Sequence, residues 1–524
     1  MTSQQLPERP NLEQLKKQAK TLLHAAQNQE PSALARLQVL PAFARLAPAE
    51  IAARRLGLHD AQSVIAREHG FASWRALREA VEERSLSFAA AADQFVRFAV
   101  GGAAARARRL HALHPGIARA SLHASLVLGD AAQVEALLRR DPALATQPGG
   151  PEGWEPLQYV CQSGLFGDAP EGAAGLVATA RLLLKQGANP NAEYHWKWHP
   201  ELPRTVLWAA LCSAGHLPLA RALLEAGANP TDGVSLQILA SGDHVAPLDL
   251  LLAFNVNVNG IPGGVPPLRY VLGYARKSAG IRWLLEHGAD PNLAWGDEGE
   301  TPLHVAARRW DVATAELLVG HGANVQSRRK DGLTPHSLAE MNGNHGVAAW
   351  LLAHGATDEL SDLDRFAGAC SRGDAAAAEA IARGLPDVCQ HLRPEHLLLL
   401  HRAAERGDVT GLRTMLDFGF DPRISDADRV TPLHRASMAG NPECVRMLLE
   451  RGASPNDLDG MFAAPPLIWT VEGSRHPSPT ADHLAVVRLL VDAGSVAWAP
   501  PSDAPEVEGT LERLAELRQA AGRP

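Results

Sequence analysis

A short signal that ends a helix recurs along this chain at a nearly constant step. It reads Gly-Ala-Asn-Pro-Asn at Gly187, Gly-Ala-Asn-Pro at Gly227, Gly-Ala-Asp-Pro-Asn at Gly288, Gly-Ala-Asn-Val at Gly322, Gly-Ala-Thr at Gly355, Gly-Ala-Ser-Pro-Asn at Gly452 and Ala-Gly-Ser-Val around Gly494. Weaker forms stand at Asn255 and Gly419. Glycine stops helices because it adopts the left-handed backbone without a side-chain clash. Where nothing is inserted, the step is about 33 residues. A start signal answers the stop signal: Thr301-Pro302-Leu303-His304, Thr431-Pro432-Leu433-His434, Thr334-Pro335-His336, Pro266-Pro267-Leu268 and Thr205-Val206-Leu207-Trp208. Threonine caps a helix, and proline at its first position lacks an N–H that would go unbonded there. The stretch from Gly299 to Val325 therefore encodes helix, turn, helix and stop, with Leu303, Ala306 and Ala307 on one face and Leu317 and Leu318 on the other helix. Two helices this short cannot bury their apolar faces alone. They need copies on either side.

On these motifs the chain resembles the ankyrin-repeat family over roughly residues 90–500. The resemblance implies an all-α ankyrin solenoid of about ten or eleven repeats, with short β-hairpin tips and an N-terminal helical cap. A solenoid grows without a size limit because each repeat touches only its neighbours, so 524 residues are read as one long array.

Residues 1–88 carry no repeat signature. Asn11 is placed to cap a helix from Leu12 to about Ala26, and Ile65, Phe71, Trp74, Leu77 and Val81 form an apolar stripe broken at Gly70. The block is similar to the helical extension of some bacterial ankyrin proteins, as either a cap on the first repeat or a separate binding element. Residues 89–146 read as two divergent repeats, with inner helices at Ala92–Val100 and Arg119–Leu128 and outer helices at Ala103–Leu113 and Ala132–Arg139. Residues 147–360 are repeats carrying insertions, 361–400 a degenerate repeat or a junction, 401–498 repeats again, and 499–524 a linker with a terminal helix.

The polar N-terminus has no signal-peptide core, and no apolar run is long enough to span a membrane, so a cytoplasmic protein without membrane attachment is expected. Cys161, Cys212, Cys370, Cys389 and Cys444 are scattered and form no CxxC, as expected of reduced cysteines. A formal charge of −8 argues against nucleic acid as partner. Residues 1–120 hold 17 Lys and Arg against 10 Asp and Glu, leaving 33 against 48 for the rest, a basic head on an acidic array.

Three insertions interrupt the array: Leu165–Gly175, Ala192–Arg204 and Ser474–Asp482. Loops that lengthen at a few repeats carry recognition more often than packing, because regular packing does not require them. The second contains Tyr194, His195, Trp196, Lys197, Trp198 and His199, and rings of this kind dominate interface energetics. Either they anchor a partner or the tip folds back on its own repeat with Trp208. A metal site from His195 and His199 lacks a third ligand.

The family's ligand-facing positions are the hairpin tips and the last two residues of each inner helix. Carried over by resemblance, these positions include Trp154 and Trp295 at tips and Arg308 and Arg309 on an inner helix, followed by Trp310; Tyr274 lies one repeat earlier. Arg308, Arg309 and Trp310 read as an exposed guanidinium cluster beside an indole, suited to acidic groups. The histidines of the start signals, His304 and His434, are implied to bond the neighbouring repeat.

No HExxH, GxxxxGK[ST], GxSxG or GxGxxG supports catalysis, and no catalytic residue, cofactor or metal is assigned. The expectation is a monomeric, non-catalytic scaffold that binds a protein or peptide on its concave surface. The alternative is a small-molecule or enzymatic pocket under the insertions at 165–175 and 192–204.

Overall fold

The structure is a computed structural model that describes the chain except residues 1–5, 8–9, 55, 166–169, 197–198, 243–244, 275–277, 476, 497–506 and 523–524. Among the described residues short helices succeed one another from Phe88 to Asp492, and Asp362–Arg372 packs with Ala375–Ala382 as a helix pair without the start motif. The fold is the all-α repeat solenoid, and the β structure among the described residues is a two-stranded hairpin with two isolated bridges. Contacts divide the chain into two compact units, Met1–Ser235 with Ala246–Val256, and Leu236–Val245 with Asn257–Pro524.

The first unit begins with a helical block. Asn11 caps Leu12–Gln27 by accepting from the Glu13 and Gln14 amides, and Ser73 caps Trp74–Ser85. Leu15, Leu22, Leu37, Ile51, Ile65, Leu77 and Val81 share a core that contains no repeat residue. A buried carboxylate ties the block to the first repeat: Glu83 accepts from Arg106 at 2.7 Å and Arg109 at 3.0 Å. The divergent repeats follow at Phe88–Val100/Ala104–Leu113 and Leu122–Leu128/Ala131–Arg140. The second inner helix starts at Leu122 rather than Arg119, because Pro115–Arg119 closes as a separate 3₁₀ turn and Ser121 supplies the cap.

The second unit shows why the start and stop motifs recur. Gly288, Gly322, Gly355, Gly419, Gly452 and Gly494 all hold φ between +88° and +96°, where any side chain would be strained. Beyond them an amide ladder joins successive tips: Asn292 donates to the Gly322 carbonyl at 2.8 Å and accepts from the Asn324 amide at 2.8 Å, and Asn456 repeats the pattern with Gly494 and Val496.

The start motif does more than cap. Thr301 N–H donates to His304 Nδ1 at 3.2 Å, and its hydroxyl lies 2.7 Å from the same nitrogen. Nδ1 must then accept, which leaves the proton on Nε2 for the Leu333 carbonyl of the next repeat, 3.1 Å away. His434 reaches Ala464 in the same way at 3.1 Å, and His401 reaches Val430 at 2.9 Å. Segment 361–400 varies the device. Asp364 stands in the histidine position of the start motif and takes His396 at 2.7 Å and Arg393 at 2.6 Å, with His396 wholly buried.

Burial pushes His304 and His401 down to about 4 from the ordinary 6.5, with nearby arginines adding to the effect. The neutral rings therefore confer their full stability above pH 6.5, and that stability is lost as the pH falls towards 4. The thermal midpoint is expected to decline across that window and to be flat just above it. His304→Ala is expected to cost about 2 kcal/mol and to shallow the decline, measured by thermal unfolding followed by circular dichroism. An identical pH profile for the variant would contradict the assignment.

Candidate binding surfaces

In the first unit the aromatic insertion is a hairpin, with Glu193–Trp196 antiparallel to His199–Thr205. Glu193 faces Thr205, Tyr194 faces Arg204 and Trp196 faces His199, with an irregularity between Tyr194 and Trp196. The hairpin is rooted from below. Gln158 donates to the Glu193 carbonyl at 2.8 Å, and the Trp154 ring lies 5.5 Å from Tyr194 and 5.3 Å from Tyr159. Tyr159 is fully buried, donating to the Gly149 carbonyl at 2.8 Å and accepting from the Glu152 amide at 2.9 Å.

Tyr194, expected to face a partner, is only 4 % exposed and burial pushes its phenol up. It anchors the hairpin to its own repeat instead, because the strand places it over the Trp154–Tyr159 pair. Trp154 is half-buried in the same stack. His195 and Trp196 belong to the first strand, but their side chains, with Lys197 and Trp198, lie outside the described residues. At the hairpin's base Arg204 lies over the Trp208 ring at 4.6 Å, and the helix beginning at Val206 widens into a π turn at Ala209–Ser213. Cys161 is buried and its thiol pushed up by burial, which leaves it inert.

In the second unit the expected guanidinium cluster is already engaged. Glu300, 7 % exposed, takes Arg308 at 2.6 Å, Arg269 at 3.3 Å and Arg329 at 3.5 Å. Arg309 is exposed but donates to the Gly273 carbonyl, and the half-buried Trp310 donates its indole N–H to the Leu272 carbonyl at 2.8 Å. These bonds fasten one repeat to the previous one. The exposed cluster read from Arg308, Arg309 and Trp310 is thereby corrected, since a buried carboxylate and two backbone carbonyls hold its polar groups. Trp295 pairs its backbone with Glu300 and sits 5.7 Å below Arg269. Tyr274 does face solvent, at 70 % exposure, its ring tilted against that of Tyr270 with centroids 4.7 Å apart.

One constellation has the order of an acyl-transfer site. His345 places Nε2 3.1 Å from Ser371 Oγ and Nδ1 3.1 Å from Glu340. Ser371 is buried, however, and Arg372 also grips Glu340 at 2.5 Å. Burial works to raise the Glu340 pKa, yet His345 and Arg372 outweigh it and hold the carboxyl below its usual value. The network fastens three successive helices together and offers a substrate no access to its hydroxyl. A cavity of about 1230 Å³ lies instead in the N-terminal block, between the helices Leu12–Gln27, Pro31–Leu37 and Leu58–Glu68, where Lys17, Arg36, Arg67 and Glu68 line it; neither insertion contributes to it.

The family model described as "Ankyrin repeats (3 copies)" matches residues 248–362, 366–459 and 400–497. The chain carries ankyrin repeats. Mouse Rabankyrin-5 is 34% identical over 168 residues, which cover 31% of this chain and 14% of that protein. Human SH3 and multiple ankyrin repeat domains protein 2 is 31% identical over 185 residues, covering 33% and 10%. The E3 ubiquitin-protein ligase KEG of Arabidopsis thaliana is 28% identical over 274 residues, covering 47% and 17%. The chain thus spans less than a fifth of each of these relatives. They are animal and plant proteins and lend no support to a bacterial subtype. Among solved structures, the human ASB11 ankyrin repeat domain is 21% identical, with 42% of this chain and 98% of that chain covered and a TM-score of 0.25. No helix among the described residues is long and apolar enough to cross a membrane.

Ankyrin-repeat reasoning from the sequence missed Leu458, Met461 and Phe462, which stand exposed on the tip before the Pro466–Gly473 helix. Their signal was three apolar residues where these tips are normally polar. It also missed Glu300, whose partners come from three different repeats. Glu300→Gln leaves those arginines facing one another and is expected to cost about 3 kcal/mol in urea unfolding. A cost below ~0.5 kcal/mol, ordinary for a surface change, would show that the clamp is not structural.

Proposed function

We propose that this protein is a non-catalytic, monomeric cytoplasmic scaffold that binds a protein or peptide partner through the inner-helix face and hairpin tips of its ankyrin repeats. The observation that carries this reading is the rooted hairpin of the first unit. Regular stacking of helix pairs does not require it, yet Gln158, Trp154 and the buried Tyr194 ring fix its stem to the repeat below. Between its two strands the sequence runs Trp196, Lys197, Trp198. A stem fixed before binding lowers the entropy lost when an aromatic tip engages a partner.

The catalytic alternative has no comparable support, since the Ser371–His345–Glu340 chain is buried at its nucleophile. The acidic partner expected at Arg308–Trp310 is less well supported there than elsewhere in the second unit, because Glu300 already neutralises Arg308.

Affinity capture from native lysate compares the intact chain with a Trp196→Ala/Trp198→Ala variant of equal helical content. A partner retained by the intact chain is expected to bind the variant at least ~10-fold more weakly, the usual loss for aromatic anchors. Equal retention by both would remove the hairpin from the binding surface.

A further inference from the structure

The inner face of the second unit holds an arginine with no ion-pair partner among the described residues. Arg402 follows the bridging His401 on the Leu399–Arg406 helix, and Arg435 follows His434 at the same place one repeat later. Arg435 is paired with Asp426 at 3.2 Å and lies 5.6 Å from the centre of the Trp469 ring. Arg402 is partly buried, and among the described residues no carboxylate approaches it within ion-pair distance. Burial, then the guanidiniums of Arg308 and Arg406, push it down to about 10; the Glu405 carboxylate opposes them in part, and Arg435 adds a weaker push. A cation in that position gains doubly from an incoming anion, which restores lost solvation and removes repulsion.

The tip two repeats along presents apolar side chains on a fixed turn. Leu458, Met461 and Phe462 are 47, 49 and 62 % exposed. Asp459 beneath them is wholly buried: one oxygen accepts from the Met461 amide at 2.8 Å and the Phe462 amide at 2.6 Å, the other from the Ala464 amide at 3.2 Å and the Trp469 indole at 2.9 Å. Gly460 donates to the Asp428 carbonyl at 2.6 Å, and Arg429 to the Asp459 carbonyl at 3.1 Å. Asp459 thus links the tip to Arg435, one repeat on from Arg402, through the Trp469 indole that it holds.

We infer that Arg402 and the Leu458–Phe462 tip form one docking surface for an acidic peptide segment, which places a carboxylate on Arg402 and a large apolar side chain against Met461 and Phe462. The inference rests on the peptide-binding reading above but uses no residue of the 193–205 hairpin. Charge selects the occupant: a basic segment would add to the repulsion at Arg402. Neighbouring inner helices stand roughly 10 Å apart, so the two contacts lie about 20 Å apart, the reach of about six extended residues.

The test selects a random-peptide display library against the full chain and measures the enriched peptides by fluorescence polarisation. Enriched sequences are expected to combine Asp or Glu with Phe, Leu, Trp or Tyr about six residues away. They are expected to bind Arg402→Gln and Met461→Ser/Phe462→Ser at least ~10-fold more weakly and Trp196→Ala/Trp198→Ala unchanged. Peptides without acidic residues, or with equal affinity for Arg402→Gln, would overturn this surface while leaving the wider reading intact. Failure to enrich any peptide would also overturn it, and lysate capture through the hairpin then decides the wider reading separately. Light scattering that showed a dimer broken by Phe462→Ser would replace the peptide with a second copy of the chain. Arg402→Gln removes a repelled charge, so its thermal midpoint is expected to be unchanged or higher. A lower one would give Arg402 a structural role instead.

Discussion

The structure depends on a hydrogen bond that leaves one repeat and ends in the next. His304, His401 and His434 each accept no proton on Nε2 but donate it to a carbonyl 29 or 30 residues ahead, at 2.9–3.1 Å. In His304 and His434 the other ring nitrogen caps the helix that carries it. A single neutral imidazole therefore serves local and long-range order at once. Helix pairs of this length have no independent stability, so a bond that makes each repeat's cap depend on its neighbour converts a row of weak units into a cooperative one. The asparagine ladder of the tips does the same work further out.

Where the device is altered, neighbouring charges take its place. Ser337 stands in the histidine position of its repeat and bonds Thr334 at 3.1 Å, and there the Glu340–His345–Ser371–Arg372 network carries the join. One repeat on, Asp364 with His396 and Arg393 takes over. The joins between repeats thus engage many polar side chains internally, and the groups left outside them are informative. Arg308 and Arg402 lie on corresponding inner helices at different positions; Glu300 pairs with the first, and among the described residues no carboxylate forms an ion pair with the second. Asp459 spends its carboxylate on a turn that leaves Met461 and Phe462 in solvent.

The repeats were legible because their signals are local. A proline after a threonine, a histidine two residues later and a glycine at the stop act within one or two turns of chain. The stretch at 361–400 read as a degenerate repeat or a junction, and Asp364 gave no hint of its partners. The surfaces were less legible because each is decided by residues far apart in sequence. Arg308, Arg309 and Trp310 were recognisable as an unusual cluster, but the groups that occupy them belong to the repeats before and after. The YHWKWH stretch was recognisable as aromatic, but only the strand register shows that Tyr194 turns inward onto Trp154. Arg402 looked ordinary, since the absence of a counter-charge is visible only when the neighbouring helices are in place.

Hydrogen–deuterium exchange of the full chain with and without His434→Ala tests the bridging bond most directly. The account predicts faster exchange in both Pro432–Ala439 and Pro466–Gly473, the two helices whose repeats that ring joins, with Pro302–Arg309 unchanged. Faster exchange confined to Pro432–Ala439 would reduce the histidine to a cap for its own helix and contradict the coupling on which the account rests.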